Sequence, residues 1–296
     1  IQQPEARIRP MGHVTEVLGD HMAPGMEIDV ALRTHGIPFR WPEEIEVETV
    51  RLTPELSNKD KANRIDVRDL PLVTIDGEDA RDFDDAVFCT PKPSGGWRLF
   101  VAIADVSHYV LPGSGLDKEA LQRGNSVYFP DHVVPMLPEI LSNGLCSLNP
   151  HVDRACIVCE MTISQQGRMS GFKFYEGLMH SKARLTYTQV GHFLDMPDSD
   201  EAAQIRSAYP ELIPHLTELQ QLYNALRKAR EARGAIDFET VETRVLFDRE
   251  RKIREIVPVT RNDAHKIIEE CMLCANVATA KLFEKYRVPA LYRVHN

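Results

Sequence analysis

The densest group of chemically active side chains is an acidic cluster in which five aspartates and one glutamate lie within residues 76–85. Carboxylates this close repel one another, and they cannot all stay ionised and partly buried unless a cation of high charge density lies among them. Hard oxygen ligands favour Mg²⁺ or Mn²⁺ over zinc. Two such ions about 4 Å apart would clamp the attacking and leaving oxygens of a phosphoryl displacement. The cluster therefore predicts a divalent-metal site.

Apolar, β-prone residues flank the cluster at 72–75 and 86–88, which predicts an acidic loop between two strands. If the loop were extended, Asp82 and Asp84 would share one face and Asp85 would lie on the other. Bringing these carboxylates together therefore requires an irregular backbone. Gly77, next to Asp76, would permit one.

Two plainer interpretations of the cluster are a surface calcium loop and a solvated acidic turn, since calcium also takes oxygen ligands. The EF-hand version of a calcium loop does not fit. The twelfth position counted from Asp76 is Val87, where that loop requires a bidentate glutamate.

Longer sequence blocks point to a family. Residues 74–76 (Thr-Ile-Asp) and 82–86 (Asp-Phe-Asp-Asp-Ala) resemble the signature of the ribonuclease II superfamily, the hydrolytic 3′ to 5′ exoribonucleases. Further similar blocks follow at residues 126–130, 135–139 and 141–150. The resemblance extends over essentially the whole chain and disfavours the calcium-loop interpretation.

The resemblance implies roles for the acids. Asp76, Asp82 and Asp85 match the metal ligands of the family, and Asp84 matches the acid on which cleavage most depends. It also implies processive hydrolysis of RNA from the 3′ end, with release of nucleoside 5′-monophosphates. Mg²⁺, with Mn²⁺ as the alternative, would lower the pKa of a bound water and balance charge on the reacting phosphate.

The resemblance also implies residues that contact RNA. Tyr128 matches a tyrosine that stacks on the 3′-terminal base, although by itself its apolar surroundings would indicate ordinary core. Tyr187 and Glu269 resemble residues near the terminal sugars that favour ribose, with Glu270 as the alternative to Glu269. Phe238 matches a second aromatic wall of the base stack, and the competing interpretation is a strand residue that faces the core.

Strands predicted around residues 71–110 and 154–177, together with helices later in the chain, indicate an α+β fold. The resemblance implies an RNB-type catalytic domain of mixed sheet and helices at residues 42–296. The end of a cold-shock domain, an OB-type barrel that binds single strands, would occupy residues 1–41. The pattern at residues 12–19 predicts a strand and turn, whereas residues 28–32 are ambiguous between helix and strand. We place the boundary near Pro42, where Trp41 and the residues after it predict a linker.

Two helices are predicted in the later part of the chain. The first lies between Pro210 and Gly234, with Gly234 at its C-terminal end. Its apolar residues recur at steps of three and four: Leu212, Leu216, Leu219, Tyr223 and Leu226. The second begins with Asn262 as N-cap and runs to about Lys285. Its predicted buried stripe contains Ile268, Cys271, Met272 and Ala275, and Glu269 lies one step off this stripe.

Composition limits the class of protein. The hydrophobic fraction of 43% supports a substantial core, and no apolar run is long enough for a membrane span. The formal net charge of −9 argues against generic nucleic-acid binding, although a metal site must itself contribute acids. Two Cys-x-x-Cys pairs, beginning at Cys156 and Cys271, have zinc-site spacing, but their strand and helix contexts favour buried reduced thiols. We therefore expect a cytoplasmic protein.

The chain begins at Ile1 and stops at Asn296, in mid-pattern for the family, so we expect a fragment. The resemblance places an arginine-bearing motif and an S1 RNA-binding domain further along. Two functions follow as alternatives: an exoribonuclease acting on single-stranded 3′ ends and structured RNA, and an inactive fragment that binds RNA or a partner. The resemblance also implies links to the ribosome and to quality control of stalled translation.

Overall fold

The computed structural model describes residues 12–19, 25–130, 132–235, 242–249 and 252–292. The helices are α1 (Met26–Thr34), α2 (Glu43–Val50), α3 (Asn58–Lys61), α4 (Gly115–Arg123), α5 (Tyr187–Asp195), α6 (Asp200–Ala208), α7 (Ile213–Ala232) and α8 (Asp263–Tyr286), with a 3₁₀ turn at Val106–His108 and a π-helix at Ile140–Leu145. The strands are β1 (Ile65–Asp66), β2 (Thr74–Asp76), β3 (Asp85–Pro91), β4 (Trp97–Ala104), β5 (Val127–Phe129), β6 (His132–Val134), β7 (Asp153–Ile163), β8 (Met169–His180), β9 (Arg184–Thr186), β10 (Glu242–Phe247) and β11 (Ile253–Val259).

A five-stranded sheet in the order β1-β8-β7-β4-β3 organises the fold, with only the β1–β8 pair parallel. Alternation along the strands sends Val87 and Ala86 to opposite faces, and each face is covered by an apolar layer. Helices α5, α7 and α8 contribute to one layer, and α2, α4 and the π-helix contribute to the other. Cys156 and Cys159 likewise lie in different layers. The predicted α+β class is confirmed.

Both predicted helices are present. In α7 the predicted leucines and Tyr223 are buried, and Gly234 follows its end with a φ of 79°. In α8 the Asn262 side chain accepts from the backbone N–H groups of Ala264 and His265, as an N-cap should. Met272 is only partly buried, unlike the rest of the predicted stripe. No helix in the described part of the chain is long and apolar enough to cross a membrane.

The N-terminal region differs from the prediction. Residues 12–19 form no strand, because none of the other described segments pairs with them. Residues 28–32 lie in α1, which has acidic residues in its first turn and Arg33 in its last, as the helix dipole favours. The predicted linker after Pro42 is wrong in part, because Pro42 is the N-cap of α2. Three glutamates in the first turn stabilise this helix, and Ile45 anchors it in the core.

Candidate active site

The acidic cluster occupies an irregular loop between two strands, as its flanks predicted. Asp76 ends β2, Asp85 begins β3, and residues 77–84 form no regular element. Gly77 does not supply the expected conformational freedom. Its φ lies outside the left-handed region, and an added Cβ would meet no atom within 4 Å. The loop is instead stabilised by contacts, beginning with the Gly77 N–H, which donates to Asp76 Oδ1 at 2.7 Å.

Phe83 anchors the middle of the loop. Its ring is buried, with 2% exposure, whereas Asp84 beside it is exposed and Asp82 is half-buried. The Phe83 N–H donates to Ser147 Oγ at 3.0 Å, and the Asp84 carbonyl accepts from the Ala104 N–H at 2.9 Å. Since Phe83 faces the core, the carboxylates on either side of it are left toward the surface.

The acids influence one another electrostatically. Desolvation raises the pKa of Asp76, and the nearby Asp82 raises it further. The pKa of Asp84 is also raised, first by desolvation and then by Asp82 and Asp76. For Asp85, desolvation, Asp76 and Asp84 together raise the pKa to about 7. The loop therefore concentrates negative charge in a partly dehydrated place that disfavours it.

One oxygen in this cluster lacks a partner. Asp85 Oδ2 is buried, and no described residue donates a hydrogen bond to it. A buried, unpaired carboxylate oxygen among other carboxylates fits a cation ligand, since a hard divalent ion would supply the missing positive charge. The predicted ligands Asp76, Asp82 and Asp85 nevertheless do not form a ready coordination sphere. In the described part of the chain, no three acid, histidine or cysteine side chains are arranged to hold a metal ion.

Tyr128 lies beside the acids and is not a core residue. It is in the β5–β6 hairpin with 65% of its surface exposed, and its hydroxyl donates to Asp82 Oδ2 at 3.0 Å. Desolvation of the hydroxyl and the charge of Asp82 raise the pKa of Tyr128, so the hydroxyl keeps its proton. The structure thus presents an open aromatic face next to the acidic loop.

Tyr187 reaches the same site through a short parallel strand pair. Strand β9 pairs with β2 and aligns Thr186 with Asp76, and Thr186 then caps α5, whose first residue is Tyr187. The Tyr187 ring stacks on His265 of α8, with centroids 3.9 Å apart and an interplanar angle of 18°. Burial raises the pKa of Tyr187, and the charges of Asp76 and Asp85 raise it further.

A cavity of about 400 Å³ opens beside this stack. Its lining consists of Tyr187, Val259, Arg261, His265, Ile268 and Glu269. Glu269 accepts a hydrogen bond from Arg261, whereas Glu270 is buried and accepts from Arg230 Nη1 at 2.8 Å. Of the two glutamates that the sequence left open, Glu269 is therefore the one at the cavity. Phe238 lies outside the described residues.

Sequence reasoning did not identify Arg184 or His265. The Arg184 guanidinium donates to the carbonyls of Glu78 and Ala80, at 3.2 and 2.8 Å, and lies 4.6 Å from the centre of the Phe83 ring. The proximity of Arg184 to Tyr187 in the chain was the available signal. This signal could be interpreted only with knowledge of the β2–β9 pairing, which no local sequence pattern predicts.

Two known domain families match segments of this chain. The RNB domain matches residues 64–296, and the cold shock domain matches residues 1–42. The chain belongs to the RNB-domain family. The resemblance found in the sequence is thereby confirmed, and the acidic loop, Tyr128 and the cavity beside Tyr187 all lie within the RNB match.

Relatives within the RNB family are close. The chain is 62% identical to ribonuclease R of Vibrio parahaemolyticus over 96% of its own length and 34% of that protein. It is 57% identical to ribonuclease R of Escherichia coli over 100% of the chain and 36% of that protein. The chain thus spans about a third of the length of the curated relatives it matches.

Solved structures share the RNB fold. Mycoplasma genitalium RNase R, solved in complex with double-stranded RNA, matches with a TM-score of 0.85 and 34% identity. The match covers 95% of this chain and 49% of that one. The same protein has also been solved with ribose-methylated single-stranded RNA, and it matches with the same score.

Proposed function

We propose that the chain carries the metal site of a hydrolytic 3′ to 5′ exoribonuclease. In this proposal it degrades RNA processively from single-stranded 3′ ends, including the ends of structured RNA, to nucleoside 5′-monophosphates. The observation that carries the proposal is the group of uncompensated acids around the unpaired Asp85 Oδ2, with an exposed aromatic ring beside it. Membership in the RNB family, a family of metal-dependent nucleases, supports it.

The position of each acid indicates the role that it would have in the reaction. Asp76, Asp82 and Asp85 would hold Mg²⁺, with Mn²⁺ as the alternative, because they combine partial burial with like charge. When bound, the metal makes a water more acidic and offsets charge on the reacting phosphate. Asp84 is exposed between two of these ligands, where its carboxylate can accept a hydrogen bond from the attacking water and orient it.

Aromatic and polar residues would position the RNA end. The exposed Tyr128 ring would stack on the terminal base, a contact that contributes about 1 to 3 kcal/mol per base and accepts any sequence. Phe238 would form the second wall of this stack. Tyr187 and Glu269 line one cavity and would contact the terminal sugars, where hydroxyl partners favour ribose.

A second candidate function is RNA binding without cleavage. One observation favours it: in the described residues the acids do not converge into a set able to hold a metal ion. A site that requires further residues or a bound RNA to close would retain the aromatic and cavity contacts but not the chemistry.

Two further proposals concern organisation and place. We divide the chain into the end of a cold-shock domain at residues 1–41 and an RNB portion at 42–296, a division supported by the cold shock domain match to residues 1–42. Six free cysteines, five of them buried, support a reducing compartment such as the cytoplasm. Partners there would be RNA 3′ ends and, by family resemblance, the ribosome or components that act on stalled translation.

Product analysis tests the activity. The chain is incubated with RNA and Mg²⁺, and the small products are identified by mass spectrometry. Nucleoside 5′-monophosphates that disappear with EDTA are expected. If RNA binds, as measured by fluorescence anisotropy, but no mononucleotide forms, the binding-only function replaces the exoribonuclease.

A further inference from the structure

The sequence block 141–150 carries part of the family resemblance, yet none of the roles above uses it. In the structure it forms the π-helix Ile140–Leu145 and then a turn that lies against the acidic loop. Ser147 in this turn is fully buried, with 0% exposure. Serine is mostly an exposed residue, and its burial requires that the hydroxyl be hydrogen-bonded.

Both partners of the Ser147 hydroxyl belong to the backbone of the acidic loop. Ser147 Oγ accepts from the Phe83 N–H at 3.0 Å and donates to the Arg81 carbonyl at 3.1 Å. The next residue completes the contact, since the Leu148 N–H donates to the Phe83 carbonyl at 2.8 Å. These three hydrogen bonds hold the backbone on both sides of Asp82 and directly before Asp84.

Ser147 is itself firmly supported. Its carbonyl accepts from Arg154 Nε at 2.9 Å, and its N–H donates to the Gly144 carbonyl at 3.1 Å. Arg154 is buried in strand β7, and it also donates to the carbonyls of Asp153 and Pro54. Ser147 therefore connects the loop, through its hydroxyl, to Arg154 of strand β7, through its carbonyl.

The acidic loop needs such support because repulsion among its carboxylates opposes the conformation that brings them together. Asp82 and Asp84 are two residues apart and have like charge, and their repulsion favours spreading the loop. We propose that Ser147 is a positioning residue, whose hydroxyl holds residues 81–83 so that Asp82 and Asp84 keep the separation required to act around a divalent cation. This inference rests on the proposed metal site, and it assigns Ser147 no contact with RNA or metal.

The test compares Ser147→Ala with Ser142→Ala in the full 296-residue chain. Ser142 is a matched control, because it lies in the π-helix and its Oγ donates to Asn143 Oδ1 at 3.5 Å, and among the described residues it has no hydrogen bond to the acidic loop. Mn²⁺ binding is measured by electron paramagnetic resonance, and RNA cleavage is measured in single turnovers. We expect Ser147→Ala to weaken Mn²⁺ binding and to slow cleavage about 10- to 100-fold, with RNA affinity in EDTA unchanged.

The Mn²⁺ measurement separates this inference from the proposed function. A parent chain that binds Mn²⁺ but does not cleave, together with weaker binding in Ser147→Ala, would support the positioning role while the proposed activity fails. Equal Mn²⁺ binding by the parent and Ser147→Ala would overturn the role. So would an equal loss in Ser142→Ala, or a parent chain that binds no Mn²⁺.

A folding defect in Ser147→Ala would be recognised by its melting temperature, and Ser147→Cys then takes its place. The thiol is a weaker hydrogen-bond partner of similar size. Faster hydrogen exchange of the Phe83 amide in Ser147→Cys than in the parent supports the role, and unchanged exchange overturns it.

Discussion

Acids lie at the same end of strands β3 and β4, and they differ in whether a neighbouring cation compensates their charge. Asp105, directly after β4, forms an ion pair with Arg64 at 2.6 Å, and both side chains are only 4% exposed. Asp85, at the start of β3, is half-buried, but its buried Oδ2 has no described hydrogen-bond donor and its pKa is raised to about 7.

Asp153 extends the comparison. Burial alone would raise its pKa, but hydrogen bonds from Lys61 and His180 outweigh that effect and lower it. The fold thus pairs Asp105 and Asp153 with cations, and Arg244 lies near Glu78 and Asp79 at the exposed part of the loop, whereas Asp85 Oδ2 has no described donor. Uncompensated charge, rather than acid content, marks the candidate site.

The largest expected effect comes from removing the cation that compensates a buried acid. Arg64→Met leaves Asp105 buried without its cation, so the free energy of unfolding should fall by about 3 to 5 kcal/mol. Urea denaturation measures the loss. Arg227→Met is the control, because the Arg227–Glu231 pair is more than half exposed, and solvent screening should make its removal change the free energy of unfolding far less. Equal losses in both variants would contradict the account.

On the uncompensated side, Asp84→Asn keeps the shape of the side chain and removes its charge. Single-turnover cleavage should slow by about 100-fold or more, as when a central electrostatic group is removed, while RNA affinity is retained. Asp79→Asn changes an acid of the same loop whose side chain is 85% exposed, and it should leave the rate near that of the parent. Unchanged cleavage in Asp84→Asn would refute the role of Asp84.

A third prediction uses the pKa of Asp85. Because this pKa is higher in the folded chain than in the unfolded one, the cost of the charge accumulates as pH rises from the ordinary value of 3.8 to about 7. In EDTA, Asp85→Asn should therefore stabilise the chain more at about pH 8 than at about pH 5, by about 2 kcal/mol.

Chemical denaturation at both pH values measures this difference. Added Mg²⁺ should reduce the advantage of the variant, since a bound cation offsets the charge in the parent. A stabilisation that is independent of pH would show that burial and the neighbouring acids do not raise the pKa of Asp85.

The smallest effect concerns the aromatic contact. Tyr128→Ala should weaken binding of an RNA 3′ end by at least about 1 kcal/mol and change the length of the final products, with hydrolysis still present. Tyr128→Phe separates stacking from the hydrogen bond to Asp82, and it should bind like the parent. Equal weakening in both variants would assign the effect to the hydroxyl.

The sequence predicted the parts of this molecule that depend on local pattern. The two long helices followed from apolar spacing and from Asn262 and Gly234 at their ends, and the irregular acidic loop followed from its flanks. Segments whose state depends on partners were harder. Residues 12–19 have strand-like alternation but no described neighbour with which to pair.

The supporting residues of the site could not be read from the sequence for the same reason. Arg184 and Tyr187 reach Asp76 only because β9 pairs with β2, and Ser147 reaches Phe83 across 64 positions of the chain. The acidic cluster can be recognised from the sequence because its carboxylates are concentrated in one segment. The residues that support the cluster have no distinctive sequence pattern, and only the fold brings them into contact with it.

A cleavage time course tests the central claim most directly. The chain is mixed with 5′-labelled RNA that has an open 3′ end, with and without Mg²⁺, and in parallel with the same RNA blocked by a 3′-phosphate. The account predicts stepwise shortening from the open 3′ end that requires the metal. Cleavage that persists in EDTA, or no cleavage of RNA that is demonstrably bound, would contradict the claim that these uncompensated acids form a working metal-dependent ribonuclease site.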